Sequence, residues 1–225
     1  MTSVLADRLA SVDGVIADAA RDAGRRPSEL TRIVVTKFQP ASLVRELAAL
    51  GVTDFGENRH QEAAAKAAEL ADLELTWHFV GQLQTNKARQ VRRYARVVHS
   101  VDRESLVTAL ASDDGESLDC FVEVDLSGEP GRGGAPPSEV PRLAELIAAA
   151  PGLRLAGVMA VAPLGAPPRA AFAALRLVSD RVRSAHPQAT AISAGMSEDF
   201  RDAILEGATH LRIGTAITGN RPARD

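Results

Sequence analysis

The stretch VVTKFQP (34–40) sets Lys37 after a β-branched run and just ahead of a Pro-led helix start. A lysine amine there can condense with an aldehyde or ketone to a Schiff base if partial desolvation lowers its pKa. Arginine cannot substitute, because a guanidinium stays protonated and is a poor nucleophile. The chain carries 26 Lys plus Arg, and only Lys37, Lys66 and Lys87 are lysines, so the position stands out. Ile33 and Val35 share its face at period two, and its side chain is expected to point inward with them. The alternative is a lysine paired with a carboxylate, or one whose head reaches water at a rim.

Two turns of small residues suit a phosphate. Gly195 and Ser197 lie in SAGMSEDFRDAI, and Gly214 and Thr215 in HLRIGTAITG. Glycine permits close backbone approach, and a hydroxyl with free amides at a helix start attracts an anion. Ser197 has a plainer alternative as the N-cap of a helix over 198–206. Arg212 shares the face of Gly214 two residues on, so it too should point inward. A buried arginine needs a polar partner; the plain alternative is a salt bridge to Glu57, Glu123 or Asp125. Asn58, in FGENRHQE, ends another apolar run. His60, His78, His99, His186 and His210 are scattered, and Cys120 is the single cysteine, so no metal site is expected.

Each of these residues falls where a short apolar run gives way to an amphipathic one. Strands are expected over 32–37, 52–57, 75–81, 96–101, 120–126, 154–162, 190–194 and 209–214. Helices are expected over 40–51, 58–71, 85–95, 103–111, 138–150, 167–185 and 198–206, with a short helical piece after Thr215. Strict alternation implies parallel strands and right-handed crossovers. Eight units close into a (β/α)8 TIM barrel, an α/β fold in a single domain over 1–225. Leu5, Leu9, Val12, Ile16 and Ala19 at helical spacing add an N-terminal helix within 1–26. A doubly wound open sheet would want a glycine-rich turn after strand one, and TKFQPAS has none. The Gly- and Pro-rich stretch 127–137 reads as a flexible loop. In such a barrel the strand C-termini form the site, which gathers the residues named above at one mouth.

A net charge of −3 gives no general attraction to nucleic acid or anionic membranes. One cysteine, no signal-peptide pattern and no long apolar stretch lead to the expectation of a cytoplasmic, soluble chain.

The motifs VVTKFQP, FGENRHQE, WHFVGQLQTNK, VHSVD, GVMAVAP, SAGMSEDFRDAI and GATHLRIGTAITG occur in one order over roughly residues 30 to 219. Together they resemble the pyridoxal 5′-phosphate (PLP) homeostasis protein family. That family is a single barrel similar to the N-terminal domain of fold-type III enzymes such as alanine racemase. The resemblance implies PLP as cofactor, with Lys37 as its aldimine lysine and Asn58 beside it. It places Ser197, Gly214 and Thr215 at the phosphate and Arg212 at the pyridine nitrogen. It implies a non-catalytic carrier, buffer or regulator of PLP, expected to be a monomer, with apo PLP-dependent enzymes as its recipients. Gln82 and Thr218 depart from residues common in the family, as does the composition of 127–137.

The rival function is a PLP-dependent amino-acid racemase or a Schiff-base aldolase using the same lysine. Racemases of this fold add a tyrosine as second base and a second domain. The only tyrosine here, Tyr94, sits in QVRRYARVV, a helix expected on the barrel's exterior, and the chain ends soon after strand eight. A cationic Arg212 at the ring nitrogen would also keep that nitrogen unprotonated and weaken the ring as an electron sink.

Overall fold

An apolar stripe becomes a helix with defined ends only when its first amides and last carbonyls find partners. Ser3 Oγ accepts from Ala6 N at 3.2 Å to start α1 (Val4–Asp22), and Gly24 at φ 65° follows its end. Leu5, Leu9, Val12, Ile16 and Ala19 form its buried stripe, as their spacing predicts. The computed structural model describes residues 3–113, 115–129 and 133–220.

The alternation then runs as the sequence pattern requires. It comprises β1 (Thr31–Val35), α2 (Ala41–Ala49), β2 (Asp54–Glu57), α3 (His60–Glu69), β3 (Thr76–Phe79), α4 (Ala88–Val91), β4 (Val97–Val101) and α5 (Glu104–Leu110). The second half is β5 (Leu118–Glu123), α6 (Val140–Ala149), β6 (Leu153–Met159), α7 (Pro168–Ala185), β7 (Ala191–Ser193), α8 (Phe200–Leu205), β8 (His210–Ile213) and α9 (Thr215–Thr218). The eight strands are parallel and close in sequence order, with β8 pairing β1 from Thr31↔His210 to Val34↔Ile213. This is a (β/α)8 barrel with an added N-terminal helix, and α1 packs against α8 and α9 beside strands seven and eight.

One difference from the expected elements has a physical cause. The helix expected over 85–95 is a 3₁₀ turn, Thr85–Lys87, leading into the short α4. Beyond it Arg93 N bonds Gln90 O and Tyr94 N bonds Val91 O, the three-residue spacing that tightens a helix end. The loop 127–137 is pinned at both feet. Asp125 N donates to Ala135 O at 2.9 Å and Ala135 N to Glu123 O at 2.8 Å, and Ala135 is buried. Residues 130–132 of that loop lie outside the described residues, as do residues 1 and 2 of the expected N-terminal segment.

Strand alternation sorts the interior. Val34, Phe55, Val98, Cys120, Val122, Val158 and Ile213 face the helices in the main core. Their alternates look into the barrel, where Val97, Phe121 and Met159 form a separate small cluster. Around that cluster the lumen is polar. His78, His99, Ser193 and Arg212 are all buried there.

Candidate functional site

The first strand stops at Val35, so Lys37 sits in a turn and not at a strand end. Ile33 and Val35 point inward as expected, but Lys37 is exposed, and the apolar strand wall does not enclose its amine. Among the described residues it makes no hydrogen bond or ion pair. The turn is held firmly. Phe38 follows at φ 67°, a left-handed conformation that strains a bulky side chain. Its amide donates to Glu62 Oε2 at 3.0 Å, and the Arg59 guanidinium covers its ring at 4.9 Å. From behind, Lys66 Nζ donates to Thr36 O at 2.7 Å and to Glu57 Oε1 at 2.6 Å, while Thr36 Oγ1 donates to the same carboxylate oxygen at 2.7 Å. This buried Thr36–Glu57–Lys66 group was not singled out from sequence. Lys66 falls in an Ala-rich helix, and only the fold brings it behind Thr36.

Asn58 follows β2 with its Oδ1 buried and without a hydrogen-bond partner among the described residues. Gly81, at the end of β3, lies so close that a Cβ there would come within 2.3 Å of Asn58 O. A cavity of about 230 Å³ opens beside them, lined by Asn58, Arg59, Phe79, Gln82, Leu83 and Lys87.

On the other side of the mouth the two small-residue turns meet. Gly195 takes φ 91°, and a Cβ there would lie 2.7 Å from Phe200 Cα. Ser197 does not cap the following helix, which starts at Phe200 with Asp199 before it. Instead Ser197 Oγ accepts from Ala216 N at 3.2 Å and from Thr215 Oγ1 at 3.3 Å. Two hydroxyls, the Ala216 amide and Gly214 thus converge. Glu198 is exposed, and Asp199 turns back to accept from Met196 N at 2.6 Å.

Arg212 rises from β8 into the lumen. It donates to Ser193 Oγ at 2.6 Å and to Ala160 O at 2.9 Å, leaving other donors of its five for a ligand. Among the described residues it forms no carboxylate salt bridge. Glu57 is taken by Lys66, and Asp125 Oδ1 accepts from Ser127 N and Oγ. Glu123 faces Arg212 without bonding it, and burial lowers the Arg212 pKa to about 10 against the pull of Glu123 and Asp199, leaving the guanidinium charged at neutral pH. Burial pushes Glu123 up to about 7, Asp102 and Asp125 adding to the rise and Arg212 opposing it.

Three histidines that look scattered along the chain gather in the lumen. The ring centroids of His78 and His99 are 5.2 Å apart, and those of His99 and His210 6.2 Å. No group of His, Cys, Asp and Glu among the described residues is arranged to hold a metal. Tyr94 stacks on His60 between α3 and the end of α4, on the outside of the barrel. A larger cleft of about 740 Å³ lies at the opposite, strand-start face around Arg89, Arg92, Arg93 and Arg96. Arg92 there donates to Leu110 O, Gly152 O and Glu116 O, and Arg96 pairs with Glu116, so both brace the fold.

A closed parallel barrel with these groups at its mouth is of the class built on the alanine racemase N-terminal domain, and residues 35–222 match that family's model. A pyridoxal phosphate homeostasis protein of Corynebacterium glutamicum is 43% identical over 216 residues, 91% of this chain and 97% of that protein. The chain belongs to the pyridoxal phosphate homeostasis protein family. PipY of Synechococcus elongatus, solved with PLP bound, superposes with a TM-score of 0.81 at 37% identity, covering 96% of this chain and 100% of that one. Alanine racemase from Corynebacterium glutamicum is similar in fold alone, with a TM-score of 0.71 at 17% identity over 94% of this chain and 60% of that enzyme.

Proposed function

We propose that this chain binds PLP at the mouth of the barrel as an aldimine on Lys37 and serves PLP homeostasis without turnover of its own. The observation that carries the reading is the convergence of three unlike groups at one face. An unpartnered lysine amine stands after β1, a cradle of Ser197, Gly214 and Thr215 lies after β7 and β8, and the charged Arg212 lies below. PLP has an aldehyde, a phosphate and a ring nitrogen to match them. Lys37 Nζ would hold the aldehyde carbon through a C=N bond that replaces C=O with loss of water. The buried, unpartnered Oδ1 of Asn58 supports a further polar contact beside the ring. PLP, when bound, would supply an electron sink, and a cationic Arg212 facing its ring nitrogen would keep that sink weak by disfavouring protonation there. Tyr94, on the outside against His60, is not placed to act as a second base. PipY's bound PLP and the name shared by the relatives support the same reading.

The test is an absorbance spectrum of the purified protein before and after borohydride, with mass mapping of the modified residue. An aldimine band that Lys37→Ala abolishes is expected, with the reduced adduct on Lys37. A wild-type protein that cannot be loaded with PLP overturns the reading. Steady racemisation of a free amino acid by the loaded protein overturns its non-catalytic part.

A further inference from the structure

The interior of a (β/α)8 barrel is ordinarily filled by layers of branched apolar side chains. Here His78, His99, Ser193 and Arg212 occupy it, all buried. Buried polar groups persist when hydrogen-bonded, and these four form one continuous line. His78 Nε2 lies 2.9 Å from Asp54 Oδ1, and His78 Nδ1 lies 3.0 Å from His99 Nε2. His99 Nδ1 lies 2.8 Å from Ser193 Oγ, which accepts from Arg212 at 2.6 Å. The His99 ring is fixed by stacking on Phe121, with centroids 4.5 Å apart and planes 8° from parallel.

With both imidazoles neutral and Asp54 ionised, one distribution of protons satisfies every member. Arginine only donates, so Ser193 Oγ accepts from it and has its single proton left for His99 Nδ1. His99 then carries its proton on Nε2 and gives that bond to His78 Nδ1. His78 in turn carries its proton on Nε2 and donates to the Asp54 carboxylate. The reverse order would need either a His78 imidazolium donating from both nitrogens, which the histidine nitrogen shifts would reveal, or a protonated Asp54. Burial works to raise its pKa, but hydrogen bonds from His78 and Thr53 outweigh that and hold it below the usual range. A doubly protonated His99 is excluded as well, since burial and then His78, His210 and Arg212 push its pKa well down. The remaining imidazole in the lumen, His210, has its Nδ1 at 2.8 Å from Thr209 Oγ1 and stands outside the line.

We infer that Asp54, His78, His99 and Ser193 are positioning residues, forming a hydrogen-bond chain of single polarity that runs down the barrel from Arg212 to Asp54 and holds the guanidinium at the mouth. Asp54 opens β2, so the chain starts at the strand-start face and ends beside the site. Each tautomer is locked by the next partner, and an imidazole turned over anywhere sets a donor against a donor. That the guanidinium meets a ring nitrogen rests on the PLP reading; the chain itself does not.

The test uses full-length apo protein labelled with 15N in histidine and arginine. Nitrogen shifts should report the Nε2–H tautomer for both His78 and His99, and an Nδ1–H tautomer on either ring overturns the inference. His78→Leu removes the acceptor of His99, while His78→Gln can still accept from His99 and donate to Asp54. Proton exchange at the Arg212 guanidinium should be slow in wild type and in His78→Gln and several-fold faster in His78→Leu. PLP affinity should fall roughly three- to tenfold in His78→Leu, the size of one net hydrogen bond, and recover in His78→Gln. Unchanged exchange in a folded His78→Leu protein, verified by its melting curve, also overturns the inference. A wild type that never binds PLP defeats the functional reading alone, because the tautomers and exchange rates still decide the chain.

Discussion

Two lysines that look alike in composition have opposite settings. Lys37 is exposed and without a partner among the described residues, whereas Lys66 is buried with its amine on Glu57 Oε1 and Thr36 O. Scarcity of lysine therefore does not by itself mark a reactive amine. At position 66 a compact ammonium reaches two acceptors at once. Burial raises the Glu57 pKa, Lys66 and Thr36 oppose that rise, and Glu57 Oε2 has no hydrogen-bond partner among the described residues. Removing Lys66 would strand a buried carboxylate, so Lys66→Met should cost about 3–5 kcal/mol in urea unfolding. Adding Glu57→Gln to Lys66→Met should recover much of that, and a double variant no better than the single one would refute the pairing. The candidate residues were legible because glycine, serine and lysine in the turns after strands carry their chemistry in their type, although the turn that exposes Lys37 was not. The Thr36–Glu57–Lys66 brace and the gathering of three histidines were not legible, since both depend on contacts between elements far apart in the chain.

The elements themselves were legible almost throughout, because period-two and helical apolar patterns report directly which face is buried. Their ends were less so. The expected sixth strand, 154–162, is observed as Leu153–Met159, and the sequence pattern did not show that its pairing slips. Cys120 pairs with Leu155 but Phe121 with Gly157, which leaves Ala156 as an extra residue, a bulge. Gly157 was the available signal, as glycine inside a strand marks a bulge or a close backbone approach. Here a Cβ on Gly157 would lie 1.8 Å from Ala191 O on β7, where backbone and not a flexible side chain must move. The slip also sets where Ala160 follows the strand, and so where its carbonyl meets Arg212 at 2.9 Å. Gly157→Ala should therefore destabilise by about 3 kcal/mol, at the upper end of overpacking, and loosen Arg212 as well. Chemical denaturation checks the first effect and PLP titration the second. Wild-type stability in that variant would contradict the close β6–β7 approach.

At the scale of the whole molecule, a polar lumen makes stability depend on pH from both sides. Burial lowers His99 far below its ordinary range and His210 to about 4, with their cationic neighbours adding to the effect. Imidazoles of the unfolded chain titrate near 6.5 and take up protons the folded lumen refuses. Stability from these two groups is therefore full above about pH 6.5 and is lost as pH falls toward 4. Glu123 works the other way. Its folded pKa of about 7 lies above the unfolded carboxyl value, so the native state keeps a proton that the unfolded chain has released. That contribution is full below about pH 4.5 and disappears as pH rises through about 7. Among these three groups the two histidines outweigh Glu123 on the acid side and Glu123 is left to act above about pH 6.5, so together they place a stability maximum near pH 6.5. Melting temperatures measured across this range at fixed ionic strength should trace that maximum. Glu123→Gln should flatten the alkaline limb and leave the acid limb in place, while His210→Phe should make the acid limb shallower. An alkaline limb identical in wild type and Glu123→Gln would mean that Glu123 is ionised in the folded barrel throughout, against the burial and the facing Asp102 that argue for its proton.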